Sequence, residues 1–460
     1  MARNLTQGGI LKNIAVFSVP FFISYFLQTL YGLADLLIVG QFEGAEAITA
    51  VAIGSQAMHF LTVIVVGLAM GTTVLIGRAT GAKNFRTVSR IAGNTVTLFG
   101  IFSLLLTGIL LFFCKDIASV LKTPEEAFSG TMLYLRICFA GIPFIVAYNV
   151  IAAVFRGMGD SRRPMYFIAV ACVLNIALDY IFIGCFRLGA QGAALATVIS
   201  QAASVVISLL AAKRSHFGVR ISPRDLKPNK FIFRGILGIG TPVAAQDGFI
   251  QVSFLLITVI ANGRGLEIAA AVGIVEKIIG FLFLVPSSML STISVVAAQN
   301  IGAGETLRAK KTLWVGTTVS ASIGAVFAAS FQFLATPTLK LFTDDPAVIL
   351  YGTEYLRAYV LDCFFAAGHF CFSGYFCACG LSIVSFVHNA LSIIIFRIPG
   401  TWLAAKYFPD TLTPMGLAAP LGSLFSVAVC ITVYATLGKR LSTKENAHRK
   451  WRATTSTRGM

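Results

Sequence analysis

Five carboxylates lie inside long apolar stretches of this 460-residue sequence: Asp35, Asp179, Asp247, Glu276 and Asp362. Placing one such group within a membrane costs at least ~2.5–3.5 kcal/mol, so it usually faces a cavity and has a function. These five acids are therefore the first candidates for chemistry.

Helical spacing groups further polar residues around two of these acids. Gln28 and Tyr31 precede Asp35 by seven and four residues, which puts all three on one helical face. Asn175 shares a face with Asp179 in the same way. Two charged carboxylates in a pocket of low dielectric repel each other, and a bound proton or cation relieves that repulsion. Such a pair can take up an ion at one face of a membrane and release it at the other.

The composition indicates that lipid surrounds most of the chain. Hydrophobic residues make up 57%, charged residues 12%, and the mean hydropathy is +0.83, whereas soluble domains carry about 25% charged residues. A backbone exposed to lipid must satisfy its own hydrogen bonds, which favours helices over open strands. Twelve apolar runs are long enough to cross a bilayer, at residues 14–39, 48–76, 91–113, 133–155, 165–184, 190–212, 236–262, 268–297, 313–338, 354–378, 384–405 and 415–438. The sequence thus predicts an all-α membrane protein with twelve transmembrane helices.

The basic residues predict how these helices are oriented. Of the 36 Lys and Arg residues, 26 fall in the termini and the connectors on the same side, and 8 fall in connectors on the other side. The positive-inside rule then places both termini in the cytoplasm of a multi-pass plasma-membrane protein. This placement also accounts for the net charge of +17, so we expect no nucleic-acid partner. The basic tail is expected to contact anionic lipid.

The chain repeats itself at an offset of 221 residues. Tyr134-Leu135-Arg136 recurs as Tyr355-Leu356-Arg357, and Gly81-Ala82 recurs as Gly302-Ala303. Six spans in each half put the two halves in parallel orientation, and transporters often bind substrate between such repeats. We therefore expect two parallel six-helix lobes around a central cleft. The predicted boundaries are an N-terminal lobe at residues 1–212, a basic cytoplasmic linker at 213–235, a C-terminal lobe at 236–440 and a basic cytoplasmic tail at 441–460.

Four short segments together resemble the multidrug and toxic compound extrusion family. They are Pro20, Gln28, Tyr31 and Asp35 in span one, Gly77-Arg78-Ala79-Thr80-Gly81-Ala82 after span two, Arg156-Gly157-Met158-Gly159-Asp160 after span four, and Asn175-Ile176-Ala177-Leu178-Asp179 in span five. The resemblance implies an antiporter that exports organic compounds, often cationic and amphipathic, in exchange for H⁺ or Na⁺ by alternating access. It also implies that the cleft lies within one chain, so that a monomer can function.

The same resemblance assigns roles to residues. It implies that Asp35, Tyr31, Asn175 and Asp179 gather in the N-terminal lobe with Thr197 as a cation-coupling site, and Asn149 is a weaker candidate for the same region. No metal or organic cofactor is implied besides the coupling ion.

Three further residues are candidates for a functional role because of their positions in the sequence. Pro20 lies fifteen residues before Asp35 and could act as a hinge, since a proline frees a carbonyl and permits a kink. Asp362 lies in a run interrupted by polar residues, which is typical of a cleft wall. Glu276, beside Lys277, is either a second cleft residue or half of a structural charge pair.

Three other functions remain as alternatives. A flippase for a lipid-linked oligosaccharide has a similar architecture, but it would favour a strongly cationic cleft, whereas the spans hold five acids and two bases, Lys277 and Arg397. A membrane enzyme would need a catalytic motif, and the sequence contains no H-E-x-x-H, G-x-S-x-G or P-loop pattern. A channel is disfavoured, because a twofold repeat lacks the ring symmetry of a selectivity filter.

Overall fold

The computed structural model describes residues 4–214 and 221–456, with side chains described as far as residue 436. Within those ranges the regular structure is helical. In chain order the α-helices are α1 (Ile10–Phe42), α2 (Ala45–Gly81), α3 (Phe85–Phe112), α4 (Cys114–Val120), α5 (Glu125–Ala140), α6 (Ile142–Gly157), α7 (Arg162–Asp179), α8 (Gly189–Arg214), α9 (Lys230–Asn262), α10 (Leu266–Leu282), α11 (Leu284–Gly302), α12 (Thr306–Leu339), α13 (Pro346–Tyr359), α14 (Asp362–Cys379), α15 (Ser382–Ser392), α16 (Ile398–Tyr407) and α17 (Thr413–Ser456). Two π-helical segments, Tyr180–Cys185 and Ile393–Arg397, follow α7 and α15.

Twelve membrane spans emerge if two bent pairs of helices each count as one span. Ten spans are continuous, while α5 and α6 meet at 47° and α13 and α14 meet at 40°. Pro143 lies in the first turn of α6, where it has no backbone N–H to continue a straight helix from α5. The bent pairs are the fourth and tenth spans, so the internal repeat extends to the position of the break. The prediction of an all-α membrane protein is confirmed.

The spans alternate in direction, so both ends of the described chain lie on one face of the bundle. We call this the near face, where α1 begins, and the opposite one the far face. Large apolar side chains point outward from the spans, as lipid requires; Leu104 is 69% exposed and Phe333 is 80% exposed. Separate clusters of buried apolar residues fill the N-terminal and C-terminal lobes.

Two reciprocal side-chain contacts join the lobes at the near face. Arg78 on α2 donates from Nε and Nη2 to the Ala378 carbonyl, at 2.9 and 2.6 Å. Gln299 on α11 donates from Nε2 to the Gly157 carbonyl at 3.0 Å. Both donors and both acceptors are related by the same 221-residue offset, so the two contacts are equivalent under the pseudo-twofold symmetry. We call these four residues the near-face seam.

Two glycines allow α2 and α11 to approach each other at this seam. A Cβ atom on Gly81 would lie 1.9 Å from the Gln299 carbonyl oxygen, and one on Gly302 would lie 2.0 Å from the Arg78 carbonyl oxygen. These positions also differ by 221 residues. Any larger side chain would force the helices apart, because backbone atoms cannot yield as a flexible side chain can.

The described hydrogen bonds between the lobes lie in the near half or the middle of the helices. Near the middle, the Tyr25 hydroxyl is 3.0 Å from the Ser291 hydroxyl, and Gln251 Nε2 is 3.3 Å from His59 Nε2. Gln251 and His59 lie slightly beyond the middle of their helices toward the far face, and no described hydrogen bond joins the lobes farther out than this pair. The lobes are therefore tied together mainly toward the near face.

The connection between the lobes runs from Arg214 at the end of α8 to Lys230 at the start of α9. Its described part lies against α3, where Asn94 Nδ2 donates to the Asp225 carbonyl at 3.0 Å. Hydrogen bonds from the Ser222 backbone and hydroxyl lower the pKa of the Asp225 carboxyl, so it is charged at neutral pH. In the predicted tail at 441–460, α17 continues to Ser456, and the tail side chains lie outside the described part.

Candidate functional site

Two buried carboxylates from different helices meet in the far half of the N-terminal lobe. Asp35 on α1 is 1% exposed and Asp179 at the end of α7 is fully buried. Their side chains are close enough to interact, and Asn175 also lies beside Asp35. The Thr197 hydroxyl on α8 donates to Asp35 Oδ2 at 3.5 Å, a long hydrogen bond. Together with Tyr31, whose hydroxyl lies near Asp35 and Thr197, we call these residues the acid-pair site.

Most polar atoms of the acid-pair site have no hydrogen-bond partner among the described residues. These atoms are Asp35 Oδ1, both carboxylate oxygens of Asp179, both amide atoms of Asn175 and the Tyr31 hydroxyl. Buried polar groups are nearly always hydrogen-bonded, because leaving one unpaired costs roughly 1–3 kcal/mol. A proton shared by the carboxylates, or a small cation held by carboxylate, amide and hydroxyl oxygens, would satisfy several of these atoms at once.

The helix ends position this site. Asp179 is the last residue of α7 and is followed at once by the π-helical segment Tyr180–Cys185. Such segments are rare and often occur at functional sites, because they interrupt the regular register of side chains. Ser200 and Tyr134 also lie next to Tyr31, although neither was predicted from the sequence. The three-residue spacing of Ser200 from Thr197 on one helix was a signal that could have identified it.

Gln28 and Pro20 lie on α1 away from the acids. Gln28 is partly buried two turns before Asp35, and it makes no hydrogen bond among the described side chains. Pro20 is buried, and α1 continues through it as one helix, with the Ser24 hydroxyl donating to the Pro20 carbonyl at 2.7 Å. The hinge role of Pro20 stays a prediction.

Two acids of the C-terminal lobe surround a base. Arg397, 8% exposed, lies within electrostatic range of both Glu276 and Asp362. Its guanidinium packs 4.7 Å from the ring centroid of Phe254 and donates to the Tyr359 hydroxyl. Thus Glu276 and Asp362 have a compensating charge, whereas Asp247 on α9 is half-buried and has no described basic neighbour.

Glu276 also has a hydrogen-bond partner. Its Oε2 accepts from the Thr258 hydroxyl at 3.1 Å, while Lys277, the adjacent base, is exposed. The structure therefore pairs Glu276 with Thr258 and Arg397 rather than with Lys277. For the acid pair in the other lobe, no basic side chain is a described neighbour of Asp35 or Asp179.

Asn149 does not join the acid-pair site. It lines a small cavity toward the near face together with Phe21, Tyr25, Thr73 and Arg156. The hydropathy pattern predicts that Arg156 lies in a connector, but α6 extends to Gly157 and Arg156 is only 7% exposed. We call this space the Arg156 cavity.

A family model described as MatE matches residues 20–181 and, a second time, residues 242–403. The chain belongs to the MatE family. The two matches begin at Pro20 and Pro242, and together they cover more than half of the chain. They confirm that each half of this MatE protein is one copy of the same unit.

Curated relatives and solved structures agree with this family. The chain is 28% identical over 433 residues to the "Probable multidrug resistance protein YpnP" of Bacillus subtilis, covering 94% of this chain and 96% of YpnP. It is 31% identical over 353 residues to the "Probable multidrug resistance protein YoeA" of the same organism, covering 75% and 76%. A MATE family multidrug resistance transporter solved in an outward-facing conformation shares the fold, with a TM-score of 0.89, 22% identity, and coverage of 95% and 98%. This MatE protein is thus a multi-pass membrane transporter and not an enzyme.

Proposed function

We propose that this MatE transporter is a secondary antiporter that exports small organic compounds in exchange for H⁺ or Na⁺ bound at the acid-pair site. The observation that carries the proposal is the presence of two buried carboxylates with unpartnered oxygens and no described basic neighbour. Such a pair attracts a cation strongly, because the low dielectric of a lobe interior screens charge poorly. The same argument favours amphipathic substrates of positive charge.

Alternating access supplies the exchange in this proposal. The near-face seam is closed, and no described hydrogen bond joins the lobes farther out than Gln251 and His59, which supports loading of the ion from the far face. An ion bound there relieves the repulsion between Asp35 and Asp179, which favours a closer packing of α1 on α7. A ligand shifts such an equilibrium only by its difference in affinity for the two states. One chain contains both lobes and the interface between them, so we also propose that it functions as a monomer.

The test is dye export from cells that lack their own exporters, with pH and sodium gradients imposed separately. We expect the wild type to export ethidium, a fluorescent cation, on one of the two gradients, which identifies the coupling ion. Asp35→Asn is expected to abolish that dependence, because a neutral amide cannot bind a proton or attract a cation. Asp116→Asn, a matched change of an exposed carboxylate on α4 at the far face, is expected to match wild type.

A different result separates this proposal from the flippase. If neither gradient drives export and Asp35→Asn matches wild type at equal expression, the antiporter proposal fails. Lipid-linked oligosaccharides then become the substrates to test.

A further inference from the structure

Arg156 is a buried base that the proposed ion exchange does not use. It lies in the last turn of α6, is 7% exposed, and places its guanidinium 4.7 Å from the ring centroid of Phe21. No hydrogen bond or ion pair of Arg156 is found among the described residues. Asp160, the acid nearest to Arg156 in the sequence, has other partners. It pairs with Arg163 at 3.5 Å and accepts hydrogen bonds from backbone N–H groups at the start of α7.

An unpaired guanidinium is an expensive group to bury. Arginine stays protonated in proteins, so it cannot escape the loss of hydration by releasing a proton. Its five N–H donors need acceptors, and the face of Phe21 offsets only part of the lost hydration. The group is thus suited to an anion that arrives from outside the chain.

The Arg156 cavity has a second unsatisfied polar group. Asn149 lies seven residues before Arg156 on the same face of α6 and is 3% exposed. Its Nδ2 donates to the Ile145 carbonyl at 2.9 Å, while its Oδ1 has no described partner. The guanidinium donors of Arg156 and the free acceptor Oδ1 of Asn149 therefore line the same cavity. Its walls include Phe21 and Tyr25.

This cavity lies beside the contacts that close the near face. Tyr25, one of its walls, is hydrogen-bonded at 3.0 Å to Ser291 of the opposite lobe. Gly157, the residue after Arg156, accepts the Gln299 bond of the near-face seam. Separation of the lobes at the near face would break both contacts and expose Arg156 and Asn149 together.

We propose that the Arg156 cavity is a binding subsite for an oxyanion, a carboxylate or a phosphate, carried by an amphipathic substrate that enters when the near-face seam opens. The guanidinium binds two oxygens of that group side by side, a geometry that fits carboxylate and phosphate. Asn149 Oδ1 accepts an N–H or O–H next to it, and Phe21 and Tyr25 contact the apolar part. The inference rests on the proposed transport function and extends its substrates from cations to zwitterions and anions.

The test uses the purified full chain and a rhodamine dye with a free carboxylate, compared with the methyl ester of the same dye. Both forms carry the same delocalised cation, so only the carboxylate distinguishes them. Fluorescence anisotropy is expected to show tighter binding of the free acid by wild type. Arg156→Gln is expected to weaken binding of the free acid by about tenfold, the magnitude of one charge-assisted hydrogen bond, and to leave binding of the ester unchanged. Arg162→Gln, the same change at an exposed base nearby, is expected to match wild type.

A second variant keeps the test informative if Arg156→Gln does not fold. Asn149→Asp retains Arg156 and places a competing carboxylate in the same cavity, so it is expected to lose the preference for the free acid. Competition by decyl phosphate and by decanoate then distinguishes a phosphate group from a carboxylate. Equal binding of acid and ester by wild type, or a preference that survives in both variants, overturns the inference.

Export of the two dye forms separates this inference from the proposed function. If the ester is exported on an ion gradient while acid and ester bind equally, the antiporter stands and the subsite fails. If neither dye is exported but the Arg156-dependent preference remains, the subsite stands and the antiporter fails.

Discussion

The acid pair of the N-terminal lobe and the acids Glu276 and Asp362 of the C-terminal lobe have different charged surroundings. In the N-terminal lobe, Asp35 and Asp179 face each other without a described base nearby, and three of their four carboxylate oxygens have no partner. In the C-terminal lobe, Glu276 and Asp362 share Arg397. Compensated charge is typical of a structural contact, whereas uncompensated like charge is typical of a site that binds a cation and tolerates strain.

This contrast predicts opposite effects on stability. Asp179→Asn removes a buried charge that the fold does not compensate, so its melting temperature in detergent is expected to equal or exceed that of wild type. Arg397→Gln leaves two acids without their counter-charge and is expected to be destabilised, by about 3–5 kcal/mol if it behaves like other broken buried pairs. Thermal unfolding of both purified variants measures the difference. If Asp179→Asn melts as low as Arg397→Gln, the acid pair is an interhelical structural contact instead.

For single residues, the sequence predicted which side chains share a helical face, but it did not predict where the helices end. Spacing alone put Tyr31 with Asp35 and Asn175 with Asp179, because residues four apart always share a helical face. The burial of Arg156 was not predicted, because Gly157 and Gly159 follow it and such glycines usually mark a helix end. In the structure α6 continues to Gly157, which turns an expected connector residue into a buried one.

Among the elements, α2 and α11 hold equivalent places in the two repeats, but they close the near face with unequal strength. Arg78 makes two charge-assisted hydrogen bonds to one carbonyl, whereas Gln299, its equivalent, makes a single neutral one. Charge-assisted bonds are roughly twice as strong as neutral ones. The Arg78 side of the seam is therefore expected to dominate closure.

Labelling of a native cysteine can measure this closure. Cys377 is 1% exposed and lies next to Ala378, the acceptor of the Arg78 bonds. Arg78→Gln is expected to raise the rate at which N-ethylmaleimide modifies Cys377 by roughly tenfold, since each bond to a charged group contributes about 1.5–3 kcal/mol. Gln299→Ala is expected to have a smaller effect, and Arg86→Gln, an exposed base at the same face, none. Peptide-level mass spectrometry gives the rates, and equal labelling of all four proteins would mean that the seam does not control opening.

Hydropathy predicted the spans well, because the thickness of a bilayer fixes their length. It did not predict the bends between α5 and α6 or between α13 and α14, where the break is too short to interrupt an apolar run. The 221-residue repeat predicted both lobes, and the near-face seam follows the same offset. The partners of each seam residue could not be predicted, because packing between the lobes decides which carbonyl each side chain reaches.

For the whole molecule, the orientation decides from which side of the membrane each site is reached. The acid-pair site lies in the far half of the N-terminal lobe and the Arg156 cavity lies toward the near face. If the near face is cytoplasmic, substrates enter beside Arg156 and ions enter from outside, and an inward ion gradient then drives export. The distribution of bases favours this orientation, since 26 of the 36 Lys and Arg residues belong to the near-face connectors and termini.

Reporter fusions test the orientation directly. Alkaline phosphatase folds only outside the cytoplasm and green fluorescent protein fluoresces only inside it, so a pair of fusions gives complementary signals. Fusion after Met460 is expected to yield fluorescence and no phosphatase activity, and insertion at Asp344, between α12 and α13 at the far face, is expected to yield the reverse. The reason is that translocating a connector with many bases is unfavourable, while far-face connectors carry few. Active phosphatase at Met460 would place the acid-pair site toward the cytoplasm and the Arg156 cavity toward the outside. An inward ion gradient would still drive export, but the substrate would then enter from the far face instead of beside Arg156.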